Sequence, residues 1–375
     1  MSWTATTIGS LGRVVTGKTP SRSRPDYFGD EHPFVTPSDI GFMHYYCTNA
    51  GEGVSELGFE KHASLAIPRD AVMCVCIGNT IGKCAIASEP SITNQQINTV
   101  IANEHNDAKF IYYLLCIIRE QIRAVGLGGG AAQPIINKTK FSALDVRVPN
   151  LKVQKAVSEM LSAYDDLIEN NRRRIGLLEE AARLLYREWF VYFRFPGHEH
   201  VKITNGLPEG WERKPFGEIA ELHYGKALKE ENRVSGPFPV YGSSGVVGSH
   251  MARLVEGPAI VVGRKGNVGS IYWSPTDFWP IDTAYFVAKE ESDFWLYHAL
   301  QSAGFQNTDA GVPGLNRDFA YSRKLILPPD RLRELYNGYA TPMFEQRNTL
   351  ESYNQKLAEA RDLLLPRLMS GEIAV

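Results

Sequence analysis

Leu178-Glu179-Glu180-Ala181-Ala182-Arg183-Leu184-Leu185 returns later in the chain as Leu357-Ala358-Glu359-Ala360-Arg361-Asp362-Leu363-Leu364, an offset of 179 residues. Both octets lie within long segments whose apolar positions are spaced in threes and fours. The first runs from Val153 through Val157, Met160, Tyr164 and Ile168 to Trp189, the second from Met343 through Leu350 and Leu357 to Leu364. Spacing near 3.5 residues predicts a coiled-coil seam sustained for several heptads. Each helix has one apolar stripe, and its nearest complementary surface is the other helix, so an antiparallel pair is expected. Thr341-Pro342 fits a helix N-cap followed by proline at the first position, so the longest unbroken part of the second helix is expected to start there.

The repeat extends N-terminally in collinear order. Val148-Pro149 recurs as Leu327-Pro328 and Pro134-Ile135-Ile136-Asn137 as Pro313-Gly314-Leu315-Asn316, both at 179. Thr80-Ile81-Gly82 recurs as Asn267-Val268-Gly269 at 187, and Gly9, Gly17 and Lys18 recur as Gly217, Gly225 and Lys226 at 208. The second copy therefore has shorter loops in its first part. Within each copy, residues 71–77 and 259–262 read as buried strands followed by glycine turns, and residues 110–123 and 294–303 read as helices. The resulting class is α+β: two similar α/β domains in a pseudo-two-fold repeat, each followed by a long helix, the two helices packed as an antiparallel coiled coil. The boundaries are 1–150 for the first globular domain, 151–193 for the central helix, 194–210 for a Gly/Pro-rich linker, 211–330 for the second domain and 331–375 for the C-terminal helix.

Composition narrows the function. The 375 residues carry 40 basic and 42 acidic side chains, a net of −2, which excludes a global basic field while leaving room for local patches. Five cysteines without a regular framework point to a reducing cytoplasm. Residues 1–10 show no signal peptide, and the apolar stretch around 110–118 is about half of what a membrane span needs.

These residues resemble the specificity subunit of type I restriction–modification systems. The resemblance rests on Gly17-Lys18-Thr19-Pro20-Ser21 after Ile8-Gly9, on Leu207-Pro208-Glu209-Gly210-Trp211, on Asp282-Thr283-Ala284-Tyr285 and on Val312-Pro313-Gly314-Leu315-Asn316. Its most specific parts are the central helix over residues 151–171 and the tail from Arg361-Asp362-Leu363-Leu364-Leu365-Pro366 to Ile373. It implies two target-recognition domains, each reading half of a bipartite asymmetric double-stranded DNA target. It implies helices that set the spacer and dock two modification (methyltransferase) subunits, with restriction subunits joining in some assemblies. The complex would be an adenine-N6 methyltransferase and ATP-dependent endonuclease. S-adenosylmethionine, ATP and Mg would belong to the partners; this chain would carry no cofactor, no metal and no catalytic residue.

The residues themselves agree with a non-catalytic reader. No Asn/Asp-Pro-Pro-aromatic tetrapeptide, no Ser/His/Asp set and no paired-carboxylate signature is present. Gly12-Arg13-Val14-Val15-Thr16-Gly17-Lys18-Thr19 fits the P-loop pattern, which keeps a P-loop NTPase with a coiled-coil arm as the alternative. However, no strand of useful length precedes Gly12, and Pro20 and Pro25 obstruct the helix that should follow. A third alternative is a coiled-coil scaffold with two carbohydrate- or peptide-binding heads. Cys74, Cys76 and Cys84 read as core thiols, and His198-Glu199-His200 has no accompanying ligands.

Reading DNA requires Lys or Arg for phosphate and guanine, and Asn or Gln for adenine. The candidates in the first domain are Lys18, Thr19, Arg22, Arg24, Asn94, Gln95, Gln96 and Gln133. Those in the second are Lys226, Tyr241, Ser243, Ser244, Arg264, Lys265 and Asn267. Arg172, Arg173 and Arg174 lie mid-helix and face DNA, a partner's acids or solvent.

Overall fold

The computed structural model describes residues 3–41, 45–48, 50–128, 134–307 and 314–375. The chain forms two compact units: Met1–Asn171 with Tyr353–Val375, and Arg172–Ser352.

The first unit is built on a five-stranded sheet. Its order is Gly12–Thr16, Ile97–Ala102, Val72–Val75, Cys84–Ala87 and Tyr46–Cys47. Both faces of this sheet are covered, which is why residues 71–77 read as an unbroken apolar run. Val72, Cys74 and Cys76 join one core with Phe110, Ile111 and Leu114 of the helix Ala108–Ile117, while Met73 and Val75 join a second core on the opposite face. Asp107 caps that helix, its Oδ1 accepting from the Phe110 amide at 2.8 Å. A three-stranded sheet follows, in which Phe28–Val35 pairs antiparallel with Glu52–Val54 and parallel with Ile92–Thr93. Thr4–Thr7 pairs with Asp145–Val148.

The second unit repeats this plan. Its four-stranded sheet runs His223–Tyr224, Ala284–Val287, Ala259–Gly263, Ile271–Ser274. In its three-stranded sheet, Phe238–Gly242 pairs antiparallel with Gly245–His250 and parallel with Trp279–Pro280. Glu212–Pro215 pairs with Lys324–Leu327. The internal repeat is therefore topological as well as sequential.

The central helix spans Leu151–Tyr186 and the C-terminal helix Asp330–Met369. In the first unit they run antiparallel: Asp165 meets Arg361, and the Asn171 amide donates to the Asn354 Oδ1 at 2.9 Å. Val157 and Leu161 share a core there with Leu365 and Leu368. In the second unit they also run antiparallel: Arg347 Nε reaches Glu179 at 2.5 Å, and the Tyr336 hydroxyl donates to the Ala182 carbonyl at 3.1 Å. Asp165 and Arg361 are each 2% exposed. Burial pushes the Asp165 carboxyl above its ordinary range, while Arg361 and the Tyr113 hydroxyl, donating at 2.5 Å, pull it back.

Two expectations need correction. The longest unbroken part of the C-terminal helix does not start at Thr341-Pro342; the helix passes through it without a break. An interior proline forfeits one N–H bond and crowds the carbonyl four residues back, at about 3 kcal/mol. Here that residue is Gly338, and the buried Tyr336, Ala340 and Phe344 hold the helix on either side of the proline. Residues 194–210 are not a free linker. Phe195 is buried against Trp211 at 5.3 Å, and Asn205-Gly206, both at positive φ, turn a short hairpin between Ile203–Thr204 and Leu207–Pro208. The P-loop alternative also fails. Gly12 lies inside the strand Gly12–Thr16, paired with Ile97–Ala102, and no helix follows Thr19 directly. Among the described residues no helix is long and apolar enough to cross a membrane, and no cluster of metal-ligating side chains forms.

Candidate nucleic-acid interface

Each unit brings a Gly-Lys turn to the equivalent edge of its own sheet, and the glycine explains the repeat. A Cβ on Gly17 would stand 2.1 Å from the Thr93 carbonyl oxygen, and one on Gly225 would stand 2.1 Å from that of Ile281. The backbone donates in the same way in both, Gly17 to Ile97 and Gly225 to Ala284. No side chain fits, so Gly225→Ala is expected to destabilise the second unit by about 1–3 kcal/mol, the usual range for overpacking. A urea unfolding curve checks this; an unchanged midpoint would show the backbone approach to be loose. The lysines that follow, Lys18 and Lys226, are both exposed.

In the first unit Lys18 stands beside Thr19, whose hydroxyl donates to the Gln95 Oε1 at 2.9 Å. Gln95 is exposed. Asn94 is not: it is buried, and its Oδ1 accepts from the Gln96 amide at 3.0 Å, an Asx turn that shapes the loop. Gln96 is half-buried in the same turn. Arg22 and Arg24 are exposed but neutralised. Arg22 makes a bidentate pair with Glu52 (3.1 and 2.6 Å), and Arg24 pairs with Asp26 (2.9 and 2.6 Å), which holds that carboxyl below its ordinary value. Gln133 lies outside the described residues.

In the second unit the turn between Ala259–Gly263 and Ile271–Ser274 carries the candidates. The amides of Arg264 and Lys265 both donate to the Thr283 carbonyl, at 2.9 and 3.1 Å. Arg264 Nη1 donates to the Asp282 carbonyl at 3.0 Å. The Ser270 hydroxyl donates to the carbonyls of Ser243 (2.5 Å) and Asn267 (2.9 Å), which ties Ser243 and Asn267 to the same edge. Ser244 next to them is exposed. The Lys226 carbonyl accepts from the Trp279 indole at 2.9 Å. Tyr241, expected at the interface, is instead a core residue. Its ring packs edge-on against Phe278 at 5.4 Å, and burial pushes its hydroxyl pKa up. Its strand is covered on both faces there, so alternation does not expose it.

Tyr224 and Arg317 escaped the sequence reading, yet they stand with Arg264 around a cavity of about 220 Å³ that Lys265, Tyr285 and Asp318 also line. A signal for Arg317 was present: it follows the cap residue Asn316 as Lys138 follows Asn137, at the repeat offset of 179. Of the mid-helix arginines, Arg173 and Arg174 are exposed and Arg172 is half-buried.

Residues 2–180 and 208–330 match the family described as the type I restriction modification DNA specificity domain. The chain is 24% identical over 405 aligned positions to the type I restriction enzyme MjaIX specificity subunit of Methanocaldococcus jannaschii, covering 100% of this chain and 94% of that one. It is 29% identical over 177 positions to the HindI specificity subunit of Haemophilus influenzae, covering 45% of this chain and 38% of that one. In three dimensions it is similar to the crystal structure of a type I restriction–modification S subunit from M. genitalium, with a TM-score of 0.60, 17% identity, and 98% and 96% of the two chains covered.

Proposed function

The chain belongs to the type I restriction modification DNA specificity family and is a specificity subunit with two target-recognition domains, and on that premise we propose that each domain reads one half of a bipartite, asymmetric DNA sequence. The observation that carries the reading is one topology used twice with different chemistry at the equivalent edge. In the sheet register, where Val75 and Gly263 are equivalent, Arg264 and Lys265 of the second copy correspond to Cys76 and Ile77 of the first. The same scaffold thus offers different groups to each half-site, and base contacts are what specify sequence. Double-stranded DNA is the ligand, and S-adenosylmethionine, ATP and Mg act in partner subunits within the cytoplasm. Exchanging residues 1–150 for another domain of this kind should change one half of the methylated motif only. If both halves changed together, the two-reader arrangement would be wrong.

The partners are two copies of a modification subunit docked on the long helices. Met160 and Tyr339, at the offset of 179, are 42% and 52% exposed; Leu184 and Leu363, at the same offset, are 44% and 73% exposed. Met160 and Leu363 belong to the first unit, Leu184 and Tyr339 to the second. Each unit therefore presents an equivalent apolar pair on its helices, which fits one partner copy per unit. Leu363→Glu should reduce the partner stoichiometry from two copies to one in native mass spectrometry, leaving the helical circular dichroism unchanged. A variant that still binds two copies would place the docking elsewhere.

A further inference from the structure

Five arginines of the second unit face a carboxylate. Arg183 pairs with Glu180, Arg194 with Glu188, Arg253 with Asp277, Arg333 with Asp293, and Arg347 with Glu179 and Glu351. Arg264, Lys265 and Arg317 form no ion pair among the described residues, although Asp318 lines the same cavity. Two of these three cations are held by a ring instead. The Arg264 guanidinium lies 4.9 Å from the centroid of Tyr224, and that of Arg317 lies 5.3 Å from it. Tyr224 itself is 51% exposed.

The two arginines are fixed to different degrees. Arg264 is held by its own amide on Thr283, by Nη1 on Asp282 and by a second ring, Tyr285, at 5.5 Å. Its guanidinium therefore has a set direction. Among the described residues Arg317 is held by ring contacts alone, Tyr224 and Tyr321. A guanine edge is read bidentately and demands direction, whereas a phosphate needs nearby charge. A ring near two cations attracts both through its quadrupole without neutralising either, as a carboxylate would.

We propose that Tyr224 is a positioning residue that holds Arg264 against the edge of a guanine and Arg317 against a neighbouring phosphate in the half-site of the second unit. This rests on reading that unit as a DNA reader. The test uses the complex assembled with its modification subunits, comparing Arg264→Ala, Arg317→Ala, Tyr224→Ala and Tyr224→Phe for methylated motif and for DNA affinity against salt. Arg264→Ala should lower discrimination at one G·C pair by about 5- to 150-fold, leaving the other positions intact. Arg317→Ala should weaken all sequences alike and lower the slope of log affinity against log salt by about 0.9. Tyr224→Ala should do both in part, and Tyr224→Phe, which keeps the ring, should restore both. A Phe variant as impaired as the Ala variant would overturn the proposal. So would Arg317→Ala relaxing one base position at an unchanged salt slope, or an unchanged motif in Arg264→Ala. A wild-type complex without any defined motif would overturn the DNA reading itself and this proposal with it; a wild-type motif shared by every variant overturns this proposal alone. The two arginine variants keep the test decisive should Tyr224→Ala fail to fold.

Discussion

Arg361→Ala is expected to destabilise the first unit by about 3–5 kcal/mol, a large share of the 5–15 kcal/mol that holds a typical domain together. The reason lies in what the substitution leaves behind. Asp165 is 2% exposed, in contact with Arg361 through one oxygen and with the Tyr113 hydroxyl through the other. Removing the guanidinium leaves a buried carboxylate with a single neutral donor. The pH dependence follows from that. Burial already pushes the Asp165 carboxyl up, and losing Arg361 pushes it further. A carboxyl raised in the folded state ionises first in the unfolded chain. The variant therefore loses stability as pH rises from the ordinary carboxylate value through the raised one, and the gap to the wild type narrows in acid. Urea unfolding between pH 4 and 8, with hydrogen exchange over Tyr353–Met369, would measure both. Asp165→Leu combined with Arg361→Met should recover most of the loss, because an apolar pair leaves no charge unpaired. A cost below about 1 kcal/mol for Arg361→Ala would mean that water reaches the pair.

The second large effect concerns the helices. Inserting four residues after Arg173 in the central helix and four after Ser352 in the C-terminal helix should lengthen the unread gap between half-sites by one or two base pairs. The positions are matched to the antiparallel register, in which Asn171 meets Asn354 and Glu179 meets Arg347. Four residues add about 6 Å of helix, and duplex DNA rises about 3.4 Å per base pair. The seam turns by only about 40°, so packing survives within each unit. Two residues at the same sites would turn it by about 200° and abolish methylation. The half-site bases should stay as they were, since no reading turn has been touched. Sequencing of methylated adenines reads the result, and an active four-residue variant with the original gap would refute the idea that the helices set the spacer.

How much of this the sequence reveals depends on how local each cause is. The coiled-coil seam, the buried strands and the doubled Gly-Lys turn are written in spacing and in a glycine that no other residue can replace, so Val157, Val72 and Gly225 are legible at once. Pro342 misleads because the local rule for a helix start is overruled by packing around Tyr336 and Phe344. Tyr241 misleads because it closely precedes the turn residues Ser243 and Ser244, whereas it lies in the strand Phe238–Gly242 and packs on Phe278. Arg22 looks like a free cation until Glu52, 30 residues away, arrives beside it. The grouping of Tyr224 with Arg317 spans 93 residues and depends on two turns meeting, which neither turn announces.

The first unit is assembled from both ends of the sequence, Met1–Asn171 and Tyr353–Val375, with the second unit in between. Translation therefore imposes an order. At 5–20 residues per second, the roughly 180 residues of the second unit delay the closing segment by about 10–40 s after Asn171 has been made. During that interval Val157 and Leu161 await Leu365 and Leu368, and Phe110 and its neighbours lack the packing of Ile373 and Val375. The second unit has all its residues in hand at Ser352 and matures first, although it is encoded last among the two heads. The nascent chain thus carries an open apolar surface on its older half until Leu365 and Leu368 arrive, and a late frameshift would leave that half unfinished.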